Sequence, residues 1–196
     1  MPRPPNPEVR ARLLEAGRGV VHEQGFNGCG VQEITDAAKV PKGSFYNYFD
    51  SKESFAAEIL EQYWQSLDER HGPLLRDGRV APLARVRKFF HAVSQDHRAN
   101  GFAMGCLIGN LSLELSTGSE SARRMLLDVM RRWQRALADC LGDAQAHGEL
   151  GDDVDVSELA AIVIEGYEGA VMRSKIERSN KALDRFEKAV LPRLLR

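Results

Sequence analysis

Reactive chemistry in this chain has to come from few side chains, and its three cysteines are the first candidates. Cys29, Cys106 and Cys140 are odd in number and widely spaced, so they make no disulfide framework and lack the paired spacing of a zinc site. Cys106 differs from the other two because it falls in the first turn of an expected helix. Unpaired N–H groups and the positive dipole end there favour the thiolate, which is the nucleophilic form. A buried cysteine otherwise packs as a small hydrophobe; Cys29, in a turn, and Cys140, closing an apolar run, read that way. Asn110, one turn beyond Cys106, lines the same cavity on this reading. On a later helix Glu168, Met172 and Lys175 recur at spacings of four, three and seven and share a face. Either that face is solvated, or Lys175 supplies a cation to a thiolate or to a ligand carboxylate. Tyr63, Trp64, Phe102, Met104, Trp133 and Tyr167 are walls for a ligand or plain core. The five histidines form no cysteine-partner motif, no glycine-rich phosphate loop occurs, and the carboxylates make no metal-ligand cluster. No catalytic residue, metal or cofactor is expected.

A second constellation runs through Lys42-Gly43-Ser44-Phe45-Tyr46-Asn47-Tyr48. Phe45 and Phe49, four apart, face a core, which leaves Lys42, Ser44, Tyr46, Asn47 and Tyr48 outward. Those are donors that phosphates accept, and an asparagine can pair bidentately with adenine. The alternative is a solvated helical face carrying two aromatics.

The elements that must position these residues are helical. Of 196 residues, 43% are hydrophobic, only 7% aromatic, and apolar residues repeat at spacings of three and four rather than two. An all-α chain of about nine helices follows. The arm of residues 1–7 is proline-rich and expected to be flexible. Helices are then expected at about 8–24, 31–38 and 42–48, the last two joined by Lys39-Val40-Pro41 in a helix-turn-helix arrangement. A long helix from about 52 to 75, capped by Asp50 or Ser51, leads into helices at about 83–98, 106–115, 120–147, 156–178 and 181–195. This places a helix-turn-helix DNA-binding domain at 8–51 and a second helical domain at 52–196. In the last two helices Val163, Ile164, Ala170, Val171, Leu183, Phe186, Val190 and Leu194 carry apolar surface suited to pairing across a two-fold axis.

Charge limits the mode of binding. With 27 basic and 28 acidic residues the chain has a net charge of −1, which excludes coating nucleic acid by bulk attraction but not docking through a local patch. No apolar run approaches the roughly 18–20 residues of a membrane span, and Met1-Pro2-Arg3-Pro4-Pro5 is followed by no apolar segment. A cytoplasmic protein is expected.

The run from Val40 through Tyr48 to Phe49-Asp50-Ser51-Lys52-Glu53-Ser54-Phe55 resembles the signature of the tetracycline-repressor (TetR) family of bacterial transcription regulators. The resemblance implies an all-α homodimer bound to an inverted-repeat operator, with Lys42, Ser44, Tyr46, Asn47 and Tyr48 on the DNA and Lys52 on a phosphate, and it implies ligand sensing and dimerisation for the domain at 52–196. Asn47 stands where the family commonly has histidine, so its operator does not follow by analogy. Gly105-Cys106-Leu107-Ile108-Gly109-Asn110-Leu111 and Gly166-Tyr167-Glu168-Gly169-Ala170-Val171-Met172-Arg173-Ser174-Lys175 are similar to a subgroup containing repressors of N-ethylmaleimide reductase and acrylate-responsive repressors. That similarity implies a small-molecule inducer, either a reactive carbonyl or unsaturated compound or the corresponding acid. Two other readings stand beside it: a repressor with a reversibly bound hydrophobic ligand and a structural Cys106, and a thiol-dependent detoxification enzyme.

Overall fold

Helices begin where the sequence supplies a capping group and stop where it supplies a residue able to turn back. The computed structural model describes residues 6–196. The expected arm lies outside the described residues up to residue 5, but Asn6 and Pro7 are not part of an arm. Pro7 opens α1 (Pro7–Gln24), and the Asn6 side chain accepts from the Glu8 N–H at 2.9 Å, satisfying one of the unpaired donors of a helix start. The helix stops at Gly25, whose φ of +84° suits glycine. α2 (Val31–Ala37), a 3₁₀ turn (Lys42–Asn47) and α3 (Lys52–Arg76) follow, then α4 (Pro82–Ala99), α5 (Leu107–Leu115), α6 (Glu120–Ala146) and α7 (Val156–Glu177). The last stretch combines α8 (Lys181–Arg185), a widened π turn (Phe186–Val190) and α9 (Leu191–Leu194). Pro192 has no N–H and crowds the carbonyl four residues back, which accounts for a widened turn just before it. The described residues thus hold nine α-helices and no strand.

Two compact units result. One comprises the chain up to Trp64 together with Leu107–Asp128; the other comprises Gln65–Cys106 and Val129–Arg196. The division falls inside α3, not at residue 52. The reason is aromatic packing: Phe55 of α3 lies 5.3 Å from Phe45 and 4.9 Å from Phe49 between ring centroids, so the first turns of α3 complete the N-terminal core. Leu13, Ile34, Phe45, Phe55 and Ile59 are wholly buried there. Gly17 permits the close approach of α1, since a Cβ at that position would stand 2.4 Å from the Phe55 ring.

In the second unit, Val86, Phe89 and Phe90 of α4, Trp133 and Leu137 of α6, Val163, Ile164, Tyr167 and Val171 of α7, and Leu183 and Phe186 beyond it are all buried, with Tyr167 packed against Phe90, Phe186 and Trp133. Burying a side chain of this size contributes about 1.5–3 kcal/mol. Polar ties fix the register of α4: Arg85 donates to Asp143 at 2.7 Å and to the Val80 carbonyl at 2.6 Å, and Arg98 donates to Asp184 at 2.7 Å. This core corrects one expectation. Val163, Ile164, Val171, Leu183 and Phe186 are consumed within the protomer and are not surface for a second copy.

Candidate functional site

The recognition segment is tighter than expected. Residues 42–47 form a 3₁₀ helix rather than an α-helix; the Ser44 N–H donates to the Pro41 carbonyl at 2.8 Å and the Tyr48 N–H to the Phe45 carbonyl at 3.0 Å. Phe45 and Phe49 turn inward as their spacing predicts, while Lys42, Tyr46 and Asn47 are exposed and Ser44 and Tyr48 half-buried. The Tyr48 hydroxyl accepts from the Asn6 N–H at 3.1 Å. The start of α1 therefore fixes this ring, and the hydroxyl proton remains to be donated outward.

Lys52 departs from its expected place. Its ammonium donates to the carbonyls of Phe26 and Cys29 and lies 4.1 Å from the Phe26 ring centroid. Carbonyls left by the turn between α1 and α2, together with an aromatic face, hold the charge inward. The same turn is held from its other side by a residue the sequence did not single out. Glu114 of α5 accepts from the N–H groups of Phe26 at 3.1 Å and Asn27 at 2.6 Å. No local pattern marks Glu114, because its partners lie 87 and 88 positions away.

Cys106 immediately precedes α5 instead of lying in its first turn, and Gly105, at φ +71°, brings the chain round to it. It is 5% exposed. The Cys106 thiol hydrogen-bonds the carboxyl group of Glu168 of α7. Burial pushes the Glu168 carboxyl up to about 7, against the smaller opposite effect of the Cys106 bond. Its Oε1 is buried with no hydrogen-bond partner. The neighbouring Tyr167 is 1% exposed, with its hydroxyl 3.4 Å from Ser94 Oγ. Burial holds this phenol well above its usual range, and the charges of Glu168, Cys106 and Glu187 add to the effect. Its ring lies 4.9 Å from Phe90, 5.3 Å from Phe186, 6.3 Å from His97 and 6.5 Å from Trp133, whose buried Nε1–H has no acceptor.

Cys106, Tyr167, Glu168 and Trp133 are thus gathered in the second unit, whereas the other expected residues are not all part of that cluster. Met172 is 58% exposed; four residues along a helix add about 40° beyond a full turn, enough to carry it off the inward edge. Lys175 is half-buried, and Phe102 is half-buried in the turn after α4 with φ +60°. Tyr63, Trp64 and Asn110 belong to the first unit, where Tyr63 meets His22 edge-on at 5.6 Å. Cys29 and Cys140 are buried, and desolvation raises both thiols, Cys140 to about 11.

Glu168 makes stability pH-dependent in a known direction. Folded, it holds its proton to about 7, against an ordinary value of 4.5, so folding takes up a proton between these values. Its contribution is fully present below about 4.5 and declines as pH rises towards 7. Urea titrations from pH 4.5 to 7.5 should show Glu168→Gln losing less stability across this window than the unsubstituted chain; parallel curves would remove the assignment.

The outer face of α7 and the segment after it form a shallow groove of about 190 Å³, lined by Gly166, Gly169, Ala170, Arg173, Ala182, Arg185, Phe186 and Val190. A Cβ at Gly169 would meet nothing within 4 Å, and one at Gly166 would make only ordinary contact with Phe186. The protomer's own packing does not require glycine at either position.

A helix-turn-helix unit with an outward donor set, joined to a helical unit with buried polar groups, defines a DNA-binding regulator. Residues 13–59 match the bacterial regulatory proteins of the tetR family, and residues 82–190 match the tetracyclin repressor-like C-terminal domain. The chain belongs to the TetR family and is a transcriptional repressor of that family. It is 38% identical to the HTH-type transcriptional repressor DhaR of Mycobacterium sp. (strain GP1), over 95% of this chain and 92% of that one. Its fold is similar to the regulatory protein TetR from Rhodobacter sphaeroides, with a TM-score of 0.88 at 37% identity over 95% and 98% of the two chains. It is also similar to the reduced form of E. coli NemR, with a TM-score of 0.79 at 30% identity over 95% and 94%. No helix among the described residues is long and apolar enough to cross a membrane.

Proposed function

We propose that the chain is a cytoplasmic homodimeric repressor that leaves an inverted-repeat operator when a small electrophile of the unsaturated carbonyl type modifies Cys106. The observation that carries this reading is the placement of Cys106: a thiol hydrogen-bonded to a carboxyl group, directly before a helix that reaches the DNA-binding unit through Glu114. The similarity to a repressor solved in a reduced form adds support. On this reading Lys42, Ser44, Tyr46, Asn47 and Tyr48 meet the operator. An adduct enlarges a side chain in a packed interior, which shifts its neighbours rather than absorbing the volume. Movement of α5 then withdraws Glu114 from Phe26 and Asn27, releasing the turn that Lys52 braces and changing the separation of the recognition segments.

The unpartnered Trp133 Nε1 and Glu168 Oε1 favour a second reading, in which a polar ligand binds reversibly and Cys106 only packs. Mobility-shift assays with methyl vinyl ketone, run beside intact-mass spectrometry, separate the two. Cys106→Ser is expected to hold operator DNA and not release it, whereas Cys29→Ser and Cys140→Ser release it with one adduct per chain. DNA release with Cys106 still an unmodified thiol would leave the reversible reading standing. Multiple turnovers of the compound would instead indicate a thiol enzyme.

A further inference from the structure

Thiol addition to an unsaturated carbonyl compound moves a proton as well as forming a bond, and a buried cysteine needs a group to take it. A helix end stabilises a thiolate only weakly, and desolvation opposes ionisation. Water is a poor acceptor for a sulfur that is 5% exposed. The Cys106 thiol already hydrogen-bonds a group suited to the task, the Glu168 carboxylate. Its second oxygen, Oε1, is buried without a partner, and so is Nε1 of Trp133, a residue that packs edge-on to Tyr167 and is 1% exposed. Buried polar atoms are rarely left unpaired. The unpaired Glu168 oxygen needs a donor or a proton.

We propose that Glu168 is the proton-transfer partner of Cys106 and that the cluster takes a neutral α,β-unsaturated carbonyl compound. This rests on the reading of Cys106 as the sensing thiol. The carboxylate accepts the S–H proton while the sulfur lone pair forms the C–S bond to the β-carbon. The C=C electron pair moves into the enolate. The Glu168 carboxyl then gives the proton to the α-carbon. The sum is addition of S–H across the double bond; the carboxylate is regenerated and no oxidant or reductant is required. An unsaturated acid fits less well, because its carboxylate would share a buried site with Glu168.

The carboxyl of Glu168 titrates near 7, within the range a general base uses. The titratable group bonded to it is Cys106; its chain neighbour Tyr167 feels the charge of Glu187 and lies 6.3 Å from the His97 ring, and Lys175 stands two turns further along α7.

The opposing possibility makes the opposite prediction. A carboxylate that is only a bystander raises the pKa of a neighbouring thiol, so its removal would speed alkylation; a base that is removed slows it. The test uses the full chain with Cys29→Ser and Cys140→Ser, leaving Cys106 as its single thiol, treated with methyl vinyl ketone and followed by intact mass from pH 5.5 to 8.5. Glu168→Gln should slow the adduct at pH 7 at least tenfold and abolish the rise in rate centred near pH 7, while Glu168→Asp recovers part of the rate. Untreated Glu168→Gln must bind operator DNA as its parent does, which separates a lost base from a lost fold. Unchanged or faster addition in Glu168→Gln, with the same pH profile, overturns the role of Glu168 and leaves covalent sensing intact. No addition at Cys106 in the parent overturns covalent sensing itself, and this proposal with it. Acrylate, with rates normalised to a free thiol, should react at least tenfold less readily than methyl vinyl ketone; equal normalised rates would overturn the neutral-substrate assignment.

Discussion

Replacing Lys42, Tyr46 and Asn47 together by alanine is expected to abolish specific operator binding while leaving the thermal midpoint within a degree or two. All three side chains are exposed, and surface changes away from caps and buried pairs usually alter stability by about 0.5 kcal/mol or less. A base or phosphate contact contributes roughly 1–3 kcal/mol. Three lost on each of two protomers correspond to at least a thousandfold, or about 4 kcal/mol, even when discounted for non-additivity. Asn47→Ala alone should change the preference among sequences, and Lys42→Ala should weaken binding to all of them and flatten the salt dependence. Lys52→Ala makes the contrast. It leaves the Phe26 and Cys29 carbonyls without their cation and should lower stability as well as DNA affinity. Fluorescence anisotropy with a labelled operator, together with calorimetry, checks both; a triple variant binding within tenfold of the parent would mean that another surface meets DNA.

Ala170→Arg is expected to leave the chain monomeric and to cost operator affinity by roughly 10²–10⁴, the factor gained when two linked half-sites are engaged together. The groove on the outer face of α7 is lined by Gly166, Gly169 and Ala170, and no packing inside the protomer demands glycine at the first two. Small residues let helix backbones approach closely, and this surface continues to Val190, which is 37% exposed. The arginine would fill that approach and leave a charge inside the contact, while the protomer core stays intact. Phe186→Asp should behave otherwise: Phe186 is 1% exposed, within the aromatic group around Tyr167, so a carboxylate there unfolds the second unit. Sedimentation and circular dichroism distinguish these outcomes. A stable dimer in Ala170→Arg would place the interface on another face.

Much of this was legible from one-dimensional pattern. The start of α1 at Pro7, read as part of an arm, was not. Gly25 ends α1, and the four-residue spacing of Phe45 and Phe49 turns Lys42, Tyr46 and Asn47 outward. These depend on neighbours within a turn or two of chain, which any reading of the sequence already contains. What periodicity leaves open is the identity of the partner. The pattern of α7 shows that one side is buried; only packing decided that Val163, Ile164 and Val171 face their own protomer's core while the glycine-bearing side stays outward. The same holds for polar groups, whose long side chains reach whatever the fold brings near. Lys52 reads as a phosphate ligand until the turn at Phe26 and Cys29 offers it two carbonyls. Glu114 carries no signal in the sequence, because the N–H groups it meets arrive from 87 and 88 positions away. The carboxyl that Cys106 meets sits 62 positions away on α7, where no local pattern announces it. Helix limits and buried sides are short-range properties fixed by composition and spacing; the charge environment of Cys106 is a long-range one and exists only once the helices have packed.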